Sequence, residues 1–133
     1  MDDFYRENIL DHYRHPRNKG RLEHPTHPHE EHNPLRGDVI RMDLHVNEDN
    51  VIDQVRFEGN GCAISQASAS MLTEMIQGKT LEQAKELTKE DILEALGIEI
   101  GPVRLKCALL SLKVLKAGIY DLPDWAEEED DEW

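Results

Sequence analysis

Two stretches with a hydrophobic period of two, "VIRMDLHV" at 39–46 and "VIDQVRFE" at 51–58, flank the turn-forming tetrapeptide "NEDN". In the first, Ile40, Met42, Leu44 and Val46 alternate with Arg41, Asp43 and His45, as in a strand with one buried and one wet face. In the second, Val51, Val55 and Phe57 stand in phase. A polar connection this short joins the two as an antiparallel hairpin, which Gly59 is expected to end. The period then changes. After "GNGC" at 59–62, Ile64, Ala67, Met71 and Met75 fall on one helical line, with Ser68, Leu72 and Ile76 beside it, and Gly78 is a stop signal.

The remaining elements follow the same logic. Tyr5, Ile9 and Tyr13 recur at four-residue steps beside Leu10, which predicts a helix over 2–14 that Pro16 terminates. Thr80 and Gln83 have the spacing of a capping box, so a helix begins at 80. A short helix over 89–96 is ended by Gly97. Pro102 suits the first turn of a last helix that runs to Ala117 and is closed by Gly118. Between residues 19 and 34, "HPTHPHEEHNP" has no core periodicity; it reads mostly as loop, with a polar edge strand as the alternative for its middle. A helix, then strands, then helices imply an α+β domain, in which helices pack on one face of a small antiparallel sheet of two to three strands.

Composition restricts the function. The chain has 133 residues and a formal charge of −13, of which eight negative charges lie between Asp121 and Trp133, leaving −5 for residues 1–120. The expected organisation is one domain over 1–120 and an acidic, disordered tail over 121–133. Nucleic acid is not expected as a partner, because binding a phosphate backbone requires clustered Lys and Arg. No apolar run reaches membrane-spanning length, and the acidic start lacks the pattern of an export signal, so no membrane and a cytoplasmic location are expected.

Only two cysteines are present, Cys62 and Cys107, 45 positions apart. In a chain without an export signal they are poor candidates for a structural disulfide. Cys62 stands where a strand gives way to a helix, at the positive end of the helix dipole, which favours the thiolate that binds metal or attacks sulfur. Gly59 and Gly61 leave space beside it. The bland alternative is that Cys62 is a small buried hydrophobe. Asp38, after Gly37 at the start of the first clear strand, reads from composition alone as a turn aspartate.

Taken together, "FYRENILDHYRHPRNKG", "HNPLRGDVIRMDLHV", "FEGNGCAISQASASMLTEMIQGK" and "VRLKCALLSLKVLKAG" resemble, in order and spacing, the iron–sulfur cluster assembly scaffolds of the IscU, SufU and NifU N-terminal type. The opening, the "GCAISQASAS" stretch and the lysine before the last cysteine look most like the SufU branch. The resemblance covers about residues 4 to 118. It implies a non-enzymatic scaffold that holds a transient iron–sulfur cluster or zinc, receives sulfur from a cysteine desulfurase and serves recipient apo-proteins. Asp38, Cys62 and Cys107 resemble the family's aspartate and its second and third cysteines, and are the implied metal ligands.

The family's first cysteine would precede the Gly-Asp pair, and Arg36 stands at that position. A guanidinium has five donors and no lone pair for a metal. Three protein ligands match an open zinc site, whereas a closed site or a two-iron cluster takes four. His32 is the best substitute ligand among the histidines of the 24–32 segment. Lys106, where the IscU branch has a histidine, is cationic like Arg36, and the two are candidates to pair with Asp38 and close the site. Two other readings stand beside the scaffold: a degenerate paralogue that docks on or regulates a cysteine desulfurase without holding a cluster, and a persulfide carrier or small zinc enzyme.

Overall fold

A computed structural model of the chain describes residues 2–33 and 37–120; Arg36 and the expected tail at 121–133 lie outside the described residues. The elements run α1 (Asp2–Arg14), β1 (His27–Asn33), β2 (Asp38–Val46), β3 (Ile52–Asn60), α2 (Ala63–Ile76), α3 (Leu81–Lys85), α4 (Lys89–Leu96) and α5 (Pro102–Tyr120). The three strands form an antiparallel sheet in the order β1-β2-β3. Helices α2 and α5 lie against it, α5 over β1 and β2 and α2 over β3, and α1 packs on α2. Among the described residues no helix is long and apolar enough to cross a membrane.

The hairpin forms as its alternation requires, with Ile40, Met42, Leu44, Val55 and Phe57 at 2% exposure or less on the helix-covered face. The expected phase of its second strand fails at one point. His45 pairs with Gln54 but Val46 pairs with Ile52, so Asp53 is an extra residue. This bulge turns Ile52, rather than Val51, into the core. The strand also continues through Gly59 to Asn60.

The segment read mostly as loop contains a seven-residue strand. β1 pairs with β2 from His27↔Leu44 to Asn33↔Asp38. Its inward residues are His27, His29, Glu31 and Asn33, so it presents no hydrophobic alternation. Backbone pairing and the cover of α5 hold it in place. Close approach of α5 is also why Gly118 is internal to that helix and does not close it: a Cβ there would lie 3.2 Å from His29 Cβ.

The outer face of β2 is not uniformly wet. Asp43 is 1% exposed, because the 17–22 segment crosses over it. Its carboxylate accepts hydrogen bonds from Arg21 Nε (3.1 Å), the Leu22 backbone N–H (3.1 Å) and Arg41 Nε (3.0 Å), so the buried charge is paired and bonded. The same segment covers the free edge of β3: Phe57 N donates to Asn18 O, and Gly20 N donates to Phe57 O.

Helix α1 buries Ile9 and His12 and leaves Leu10 and Tyr13 exposed, so its inner stripe lies to one side of the one expected from Tyr5, Ile9 and Tyr13. His12 Nδ1 is 2.8 Å from Ser70 Oγ, which also accepts from the Arg17 backbone N–H at 2.9 Å. Ser68 Oγ donates to the Ala108 carbonyl at 2.6 Å and lies 3.1 Å from Ser111 Oγ. The small serines of α2 thus lock it to neighbours on both sides as well as letting them approach. Both short helices have their capping boxes, Thr80 with Gln83 and Thr88 with Asp91, and Gly97 ends α4 in the left-handed conformation (φ 70°).

Candidate metal centre

Three elements bring one donor each to the same edge of the domain. Asp38 is the first residue of β2, Cys62 is the N-cap of α2, and Cys107 is the sixth residue of α5. A carboxylate oxygen and the two Sγ atoms all lie within 4.8 Å of one another. The Cys62 thiol is 3.8 Å from Asp38 Oδ2 and 4.0 Å from Ser65 Oγ. Donors around a tetrahedral ion at ordinary bond lengths are about 3.5–4 Å apart, so a slight contraction would fit the set to an ion.

The local sequence explains this geometry. β3 ends at Asn60 and α2 starts at Ala63, so Gly61 and Cys62 form the whole connection. The two glycines act differently. Gly59 has a φ of 154° inside β3, and a Cβ there would run into the Val39 carbonyl. Gly61 supplies space: a Cβ would lie 2.5 Å from Ser65 Oγ and 2.9 Å from Asp38 Cγ, so only glycine lets the carboxylate approach. Cys62 has extended angles (φ −73°, ψ 169°) and its side chain makes no capping hydrogen bond. The sulfur stays beside the helix N-terminus, available to a ligand.

The two thiols differ in environment. Cys62 is half-buried, whereas Cys107 is fully buried. Burial, then the hydrogen-bonded Asp38 carboxylate and the neighbouring Cys62, push the Cys107 thiol up to about 12. Each of these acts against a negative sulfur, and a bound cation would reverse the balance by favouring the thiolate. Asn33 completes the surroundings: it is 3% exposed and its Nδ2 donates to Cys107 Sγ at 3.3 Å.

The other residues singled out from the sequence are placed as follows. His32 is not brought into the donor set: its side chain points outward from β1, is 65% exposed and pairs with Glu30 at 3.5 Å. Strand alternation, which sends residues 28, 30 and 32 outward, is the reason. Lys106 is half-buried on α5 and, among the described residues, makes no ion pair with Asp38. Arg36 lies outside the described residues. Asn33 was not singled out, since its position opposite Asp38 follows only once β1 is known to be a strand.

Comparison with known proteins agrees with the fold. Residues 4–128 match the family described as NifU-like N-terminal domain. The chain is 38% identical over 136 residues to the Bacillus subtilis (strain 168) protein named zinc-dependent sulfurtransferase SufU, covering 90% of this chain and 91% of that one. It is also 38% identical over 142 residues to the Aquifex aeolicus iron–sulfur cluster assembly scaffold protein IscU, covering 96% and 90%. A crystal structure from Fervidobacterium islandicum AW-1, described as a candidate scaffold protein of the SUF system, superposes with a TM-score of 0.71 at 29% identity, covering 85% of this chain and 94% of that one. The chain belongs to the NifU-like N-terminal domain family.

Proposed function

We propose that this protein is an iron–sulfur assembly scaffold that holds a labile cluster, iron or zinc through Asp38, Cys62 and Cys107. The observation that carries the reading is the convergence of two thiols and a carboxylate within 4.8 Å, from three segments distant in sequence. Two soft donors and one hard anion suit zinc and iron, and the names of the A. aeolicus and B. subtilis relatives point to the same chemistry. The cluster is cargo rather than a resident cofactor. Zinc, where bound, would be held by the same three residues and would supply a Lewis acid with one open position.

The chain's own residues divide the work. Asp38 contributes charge, Gly61 the space, and Cys62 a sulfur at the half-exposed rim that incoming sulfur or iron reaches first. Arg36, in place of the first family cysteine, cannot donate a lone pair, so the site has three protein ligands and releases its cargo readily. A cysteine desulfurase is the sulfur source and apo-proteins are the recipients, in the cytoplasm. The scaffold itself performs no catalysis in this reading.

A second reading, sulfur transfer, is favoured by the name of the B. subtilis relative and by the half-exposed thiol of Cys62. Metal and sulfide content of protein purified without oxygen tests the first: wild type retains metal, Cys62→Ser loses it, and Arg36→Cys holds it more tightly. Equal retention by wild type and Cys62→Ser would remove the scaffold reading. Stable radiolabelled sulfur on Cys62 after incubation with a desulfurase, in protein free of metal, would establish the second.

A further inference from the structure

Asn33 is the last residue of β1 and the ladder partner of Asp38, so the strand pair sets an amide and a carboxylate side by side on the helix-covered face. A polar side chain only 3% exposed is costly unless bonded. The Asn33 amide spends one N–H on a sulfur: Nδ2 donates to Cys107 Sγ at 3.3 Å, between residues 74 positions apart. A thiol is a weak acceptor, and a thiolate, like other anions, accepts more strongly. The contact therefore gains strength when the sulfur carries negative charge, as it does when bound to a metal.

We propose that Asn33 is a positioning residue for Cys107, whose amide N–H holds the sulfur towards the space shared with Cys62 and Asp38 and withdraws electron density from it once a metal is bound. The inference rests on the metal-holding reading of those three residues. Asn33 does not touch the metal; it acts through Cys107, as outer partners of metal ligands do when they fix orientation and donor strength. The hydrophobic face of β2 begins two residues further on, at Ile40, so the amide marks where the core gives way to the site.

Cobalt(II) added to the full chain without oxygen provides the probe, because sulfur-to-cobalt charge transfer reports directly on the thiolates. Wild type should show the charge-transfer band. In Asn33→Leu, similar in volume but without the donor, the band should move to longer wavelength, because a thiolate relieved of its hydrogen bond gives up electrons more easily. The cobalt dissociation constant should rise on the order of 10- to 100-fold. Should Asn33→Leu fail to fold, as judged by circular dichroism of the metal-free protein, the same two readouts on Asn33→Ser decide, since the shorter side chain withdraws its donor from the sulfur. A folded variant with unchanged band and affinity overturns the role of Asn33 alone. Absence of the band in wild type overturns the metal-holding reading and this inference with it.

Discussion

Gly61 separates the Asp38 carboxylate from the Ser65 hydroxyl by the width of a missing methyl group. Alanine at this position should displace Asp38, the carboxylate a Cβ would meet, while leaving the hydrophobic core in place. Gly61→Ala is expected to fold with an unfolding midpoint close to wild type but to bind cobalt or zinc on the order of 10- to 100-fold more weakly, the range seen when support around a ligand is lost. Titration against a chromophoric chelator measures this, and unchanged affinity would show that the carboxylate does not take part. At this scale the flanking glycines and the helix start pointed to Cys62 as a ligating or reactive thiol, and the resemblance supplied its partners. Composition left Asp38 a turn residue, and nothing in the spacing of Cys62 and Cys107 required them to meet. His32 shows the converse: a sound ligand type near the site in sequence is turned outward by strand alternation.

Helix α1 is anchored by a histidine rather than by the aromatic stripe its spacing suggested. His12 is buried against Ser70, and its pKa is lowered, first by burial and then by Arg17, despite Glu74 3.7 Å away. A histidine held neutral in the fold binds a proton more readily when unfolded, so its contribution is complete above the unfolded value of about 6.5 and is lost as the pH falls below it. The wild-type melting temperature should therefore fall between pH 7.5 and 5.5, before most carboxylates titrate, and His12→Gln should flatten that dependence. Parallel curves for the two proteins would assign the loss to other groups. Elements with their own local signals were legible: the hairpin by its period, α3 by its capping box, α4 by its glycine stop, α2 by the change from period two to helical spacing. β1 was not, because its inward residues are polar and its pairing depends on partners distant in sequence. The bulge at Asp53 and the burial of Asp43 were hidden for a related reason, since each depends on how two segments meet.

For the whole molecule, the candidate site ties β2, the start of α2 and the start of α5 together. A metal that binds only the folded chain adds stability by mass action, about 2.7 kcal/mol at a free concentration 100 times its dissociation constant. In a domain of this size that corresponds to a rise of about 10 °C in melting temperature. Zinc should produce such a rise in wild type, a chelator should reverse it, and Cys62→Ser should show none of it. An equal rise in the variant would place the bound zinc elsewhere. The order in which the three donors occur along the polypeptide has one more consequence. The ribosome releases Asp38 first, Cys62 next and Cys107 only with α5, so a nascent chain has no completed pocket to load. Under the proposed scaffold function, iron and sulfide would thereby be entrusted only to molecules whose synthesis has passed the last of the three.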